Sequence, residues 1–161
     1  MSGTGMMRPI ATVFAFALTL LLVACQPAET RDLSRDKVTV VTPKGEFSWS
    51  VELADTPAAR EKGLMFRKSM PRDTGMFFHF GTVGPVTMWM KNTFIPLDMI
   101  FAAPDGTIER VHTAAEPQSL ALISSGAPVL YVLELNAGEA ERTGLAPGQR
   151  LLHPWTVGEG D

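Results

Sequence analysis

The chain has 161 residues, 14 Lys+Arg against 17 Asp+Glu, a formal charge of −3, 45% hydrophobic residues and 19% charged ones. That composition fits one compact domain and excludes a disordered tail. The balance is slightly acidic and no Lys/Arg cluster is dense enough to track a phosphate backbone, so nucleic-acid binding is set aside. A lone cysteine excludes an internal disulfide and a thiolate zinc site, which leaves packing as the source of stability.

Residues Met1 to Arg8 carry only a basic charge, and Ile10 to Val23 is an unbroken apolar run followed by Ala24 and Cys25. This is the anatomy of a secretory signal, and the run is short of the roughly 20 residues that span a bilayer comfortably. Leu22-Val23-Ala24-Cys25 resembles a bacterial lipobox, and the only cysteine of the chain stands where a lipobox needs it. The resemblance implies removal of residues 1–24, acylation of Cys25 and stable anchoring, because two or more acyl chains hold a protein where one does so marginally. Gln26 replaces the Asp that usually retains such proteins at an inner membrane. The expected location is therefore the outer membrane, facing the periplasm, in a cell with two membranes. Residues 25–36 form the acylated cysteine and a polar tether with mixed charges and no apolar periodicity.

The domain is expected over residues 37–155, with a tail at 156–161. Val38 to Val41, stopped by Pro43 and Gly45, predicts a strand paired in a hairpin with Phe47 to Leu53, whose alternation sets Phe47, Trp49, Val51 and Leu53 on one face. Thr56 and Pro57 open a short helix with its exit at Gly63. Further strands are predicted at Gly75 to Phe80, Val86 to Met90, Leu97 to Ala102, Thr107 to Thr113 and Val129 to Leu135, with Pro104-Asp105-Gly106 as a turn. Asn136 and Glu139 have the spacing of a capping box for a helix that stops at Gly144, and Arg150 to Trp155 reads as a last strand. The fold class is a β-rich α+β single domain with two short helices. Its antiparallel or mixed sheet is expected to be a closed or nearly closed barrel, which would remove exposed edges.

Four blocks in order, Gly63 to Met70, Gly75 to Phe78, Trp89 to Thr93 with Pro96 to Phe101, and Tyr131 to Gly138, are similar to the domain of unknown function 192 family of small, often exported proteins. The resemblance spans nearly the whole mature domain and implies a compact β-rich fold. It implies no activity.

Within those blocks the Trp89 segment is the most unusual. A phase that sets Met88 and Met90 on one face sets Trp89 and Lys91 on the other, with Asn92 and Thr93 at a turn and Asp98 opening the next strand. An exposed Trp beside Lys, Asn, Thr and Asp suits a sugar or another polar ligand; the same residues also suit a core Trp with a surface ion pair. Glu134 has apolar neighbours on both strand faces, so it is expected to be buried and paired with Arg67 or Lys91. The candidate ligand site is thus Arg67, Trp89, Lys91, Asn92, Thr93, Asp98 and Glu134, of which Trp89, Lys91, Asn92, Asp98 and Glu134 are expected to converge in one neighbourhood.

Met65, Met70, Met76, Met88, Met90 and Met99 crowd the same region, but they lack a tight repeat and the histidines are far apart, so they read as core filler and no metal is expected. No Gly-rich phosphate loop or serine nucleophile motif occurs, and no cofactor is expected. The sequence therefore points to a lipid-anchored envelope protein that binds a small polar ligand, an envelope polymer or a partner protein, in an oligomeric state left open. The alternative is a small hydrolase with Asp98 and Glu134 as catalytic carboxylates.

Overall fold

The computed structural model describes Met1 and residues 36–158. The signal segment, Cys25, the tether before Asp36 and residues 159–161 lie outside the described residues.

The β-branched run at the start of the domain forms β1 (Lys37–Thr42), which turns at Gly45 into β2 (Gly45–Ala54). Their antiparallel register sets Val38 opposite Trp49 and Val40 opposite Phe47, so the hairpin forms as its alternation demands. Thr56 accepts a hydrogen bond from the Ala59 amide at 3.2 Å and starts α1 (Pro57–Lys62), which Gly63 ends. A loop then carries the chain across one face of the sheet to β3 (Thr74–Met88), which pairs parallel to β2. The two strands expected at 75–80 and 86–90 are one element. Its pairing with β6 (Ile123–Asn136) is interrupted by a register shift between His79 and Gly84, and the apolar pattern breaks there while the strand continues.

On its other side β6 pairs with β4 (Leu97–Ala102), and β4 with β5 (Ile108–Ala115). After β6 come α2 (Glu139–Thr143), the two-residue β7 (Leu151–Leu152) beside β1, and α3 (Pro154–Val157). Among the described residues the result is a curled seven-strand sheet in the order β5-β4-β6-β3-β2-β1-β7 with three short helices. The expectation of a closed or nearly closed barrel is corrected: the sheet is an open half-barrel. Its two ends meet at an isolated bridge between Thr107 and Arg150, extended by a hydrogen bond from the Gly148 amide to the Ile108 carbonyl, without forming a ladder between β7 and β5.

Two further expectations change at the C-terminal end. Arg150 to Trp155 is not one strand. His153 accepts a hydrogen bond from the Trp155 amide, Thr156 accepts one from the His153 amide, and Pro154 takes the first helical position, so α3 begins there. Thr156 is buried, and the folded part runs past Trp155.

Both faces of the central strands are covered, which is why β4 and the later half of β6 read as nearly unbroken apolar runs. The inner face gathers residues from both ends of the curl, among them Val40, Trp49, Phe77, Ile100, Leu133 and Leu151. The outer face buries Met76, Phe78, Met99, Phe101 and Val132 under Leu64, Met90 and Ile95 from the crossing loops. At the β3–β6 contact a Cβ on Gly75 would lie 2.5 Å from the Glu134 carbonyl oxygen, so only glycine allows the two backbones to approach so closely. Among the described residues no helix is long and apolar enough to cross a membrane.

Candidate functional site: the Glu134 cleft

Glu134 stands on β6 opposite Met76 of β3 and Met99 of β4, which places its side chain on the outer face of the sheet. The residue is only 4% exposed. No hydrogen bond or ion pair to its carboxyl occurs among the described residues. No fully enclosed side-chain oxygen or nitrogen among them lacks a partner, so the unpartnered carboxyl reaches open space. That space is a cleft of about 220 Å³ lined by Glu134 with Met65, Phe78, Thr87, Trp89 and Thr93, and bordered by Arg60, Glu61 and Lys62 of α1. Burial without a compensating charge pushes the Glu134 carboxyl up to about 8. At neutral pH it is a neutral acid, able to donate one hydrogen bond and accept others.

The chain just after β3 supplies the rim. Trp89 is 44% exposed and Met90 is fully buried, as the strand phase predicts. The Lys91 ammonium lies over the Trp89 ring, 5.1 Å from its centre. Asn92 turns the chain with φ of 54°, and its carbonyl accepts a hydrogen bond from the Phe66 amide at 2.8 Å. Thr93 is buried, its hydroxyl on the Lys91 carbonyl at 3.3 Å, and its own carbonyl accepts from the Gln118 amide. Phe66, Asn92 and Gln118 are three of the four non-glycine residues with positive φ among the described residues, and all three meet at this turn. Left-handed backbone in a bulky residue such as Phe is costly and persists only where the surroundings enforce it, a pattern that concentrates at functional sites.

Trp89, Thr93 and Glu134 therefore share one cleft, and Lys91 and Asn92 line an adjoining groove that also borders Trp89. Arg67 and Asp98 are elsewhere: the expected convergence of Trp89, Lys91, Asn92, Asp98 and Glu134 is corrected for Asp98, and the expected pairing of Glu134 with Arg67 or Lys91 is corrected as well. Arg67 makes a two-pronged ion pair with Glu52 of β2, which holds the Glu52 carboxyl below the usual carboxylate range. The parallel pairing of β2 with β3 brings Glu52 within its reach, so Arg67 is not the cation for Glu134; Lys91 rests on Trp89 and is not one either.

Asp98 lies opposite Leu135, one step along the ladder from the Met99–Glu134 pair, and the two-residue period sends it to the opposite face of the sheet from Glu134. It is fully buried, and each carboxylate oxygen accepts a backbone amide, Ala114 at 2.9 Å and Ala140 at 2.8 Å. A sheet thus separates the two carboxylates of the hydrolase alternative. Asn136 is corrected as well: its amide donates to the Met70 and Pro71 carbonyls, and Gly138 caps α2 without a side chain.

Sequence reasoning missed the wall of the cleft contributed by Arg60, Leu64 and Met65, because the crossover that brings them to the outer face follows from parallel pairing. Arg60 is held there by donating to the Asp55 and His79 carbonyls, both at 2.8 Å. Among the described residues no three His, Cys, Asp or Glu side chains are placed to hold a metal ion.

Two solved structures are similar to this chain over the domain. A protein of Sinorhizobium meliloti 1021, provisionally described as a transcription regulator, is 51% identical with a TM-score of 0.71, over 74% of this chain and 94% of that one. A protein of unknown function from Novosphingobium aromaticivorans DSM 12444 is 38% identical with a TM-score of 0.70, over 72% of this chain and 83% of that one. No curated protein matches the chain. The model of the DUF192 family, described only as an uncharacterised ACR, matches residues 39–153, and with the motif blocks, the β-rich half-barrel and the two relatives in agreement the chain belongs to that family.

Proposed function

We propose that this protein is an exported, lipid-anchored domain, held by Cys25 at the outer membrane and facing the periplasm, that binds a small neutral polar ligand or one such group of an envelope polymer. The reading of the anchor rests on the lipobox-like sequence and on the position of the only cysteine. The observation that carries the binding function is Glu134: an unpartnered acid, buried at the base of a cleft whose rim is an exposed Trp. Leaving a buried carboxyl without a partner costs free energy that a structural role would not repay, whereas a hydroxyl or amide of a ligand satisfies it. The Trp89 ring supplies an apolar face, and the Thr87 and Thr93 side chains supply polar edges.

A neutral ligand fits best because the acid is itself neutral at pH 7 and the mouth carries both signs of charge, Arg60 and Lys62 beside Glu61. The hydrolase alternative has lost the Asp98 arm of its pair. The regulator description of the Sinorhizobium relative is not carried over, since this chain is net acidic and its cleft has no basic stripe.

Titration with a neutral N-acetylated disaccharide, followed by Trp emission, is expected to give saturable binding in the wild type. Glu134→Leu should weaken it at least about tenfold, the loss of one buried hydrogen bond to ligand. Equal binding by both proteins would remove Glu134 from the site.

A further inference from the structure

Beyond Trp89, the outer rim carries exposed rings that do not line the cleft. Phe66 is 63% exposed, Phe94 43% and Trp89 44%, and the Phe66 and Phe94 rings meet edge to face at 6.2 Å. Leu120 and Leu122, also exposed, follow on the loop whose Gln118 amide and Ser119 carbonyl bond Thr93 and Met90. Five of the nine large apolar side chains exposed among the described residues thus stand on three segments stitched to one turn. Phe66 has φ of 65°, and its backbone N–H donates a hydrogen bond to the Asn92 carbonyl that holds it there. The backbone accepts strain to present a ring to the exterior.

We propose that this aromatic face docks on the lipid bilayer. Aromatic rings flanked by Lys match the headgroup boundary, where rings sit among the acyl ends and ammonium groups reach the phosphates. Lys62 and Lys91 line the groove between Phe66 and Trp89, with Glu61 as the one acid beside them. The second support is where the tether enters. Asp36, the first described residue of the domain, shares a groove with Arg67, Ser69 and Met70, which follow Phe66 by one, three and four residues. From acylated Cys25 to Asp36 the chain spans at most roughly 40 Å when fully extended, which keeps the domain within reach of the lipid and starts the tether on the side of the loop that carries Phe66. The inference rests on the lipid-anchor reading; it shares Trp89 with the cleft, whereas Phe66 and Phe94 lie outside the cleft lining.

The test uses full-length protein extracted from membranes, with its acyl mass checked first by mass spectrometry. It is reconstituted in phosphatidylethanolamine/phosphatidylglycerol vesicles made with or without brominated acyl chains. Trp emission is expected to fall in the brominated vesicles, and Trp89→Phe should abolish the fall, since Trp49 is buried in the inner core and Trp155 packs against it. Phe66→Ser with Phe94→Ser should reduce it while the far-ultraviolet circular dichroism stays unchanged. Equal emission from both kinds of vesicle, with the acyl mass present, overturns the docking face and leaves the anchor standing. If the acyl mass is missing the anchor reading fails. The same comparison at excess vesicles then decides the face: quenching through Trp89 supports it and its absence overturns it.

Discussion

Asp98→Asn is expected to lower the unfolding free energy by roughly 2 to 4 kcal/mol, the cost of leaving a buried amide unmatched and losing a charge-assisted bond. Gly138 offers no side chain to the start of α2, and the Asp98 carboxylate reaches from β4 to accept the Ala140 amide in its place. Its other oxygen holds the Ala114 amide, at a residue with φ of 51° near the end of β5. An Asn has one acceptor and would turn its NH₂ group against the second amide. Urea unfolding of the variant checks this, and a loss below about 1 kcal/mol would show that the carboxylate is not the clamp.

Glu134→Gln is expected to act in the opposite direction. Because burial raises the folded acid above its unfolded value, the native state keeps a proton that the unfolded chain releases above pH 4.5. Stability is therefore full below about pH 4.5 and declines as pH rises toward about 8, by up to roughly 5 kcal/mol if no group compensates. Gln carries no such proton, so the variant should gain stability over the wild type as pH rises and hold that gain above pH 8. His79 and His112 bend the profile of both proteins alike: burial lowers each, so they cost stability as pH falls below their unfolded range. The difference between the two proteins isolates Glu134. Parallel profiles from pH 5 to 9 would mean that its carboxyl is solvated.

The sequence made some of this legible and concealed the rest for identifiable reasons. Alternation and β-branching locate β1, β2 and β4 because each strand's pattern is local. The burial of Glu134 was readable too, from apolar neighbours on both of its faces. Its lack of a cation was not, because Arg67 is claimed by Glu52 only once β2 and β3 run parallel. The separation of Asp98 from Glu134 is a matter of register between β4 and β6, which neither strand carries alone. Asn136 had the spacing of a cap, but the crossing loop set the Met70 and Pro71 carbonyls beside its amide and took it for a tertiary bond.

The most direct measurement of the central claim is a high-resolution crystal structure of protein purified from its own membranes and never refolded. The account predicts a molecule retained in the cleft, with a hydroxyl or amide within hydrogen-bond distance of the Glu134 carboxyl and an apolar face against Trp89. A cleft that holds only water while an envelope-derived molecule sits elsewhere on the domain would contradict it.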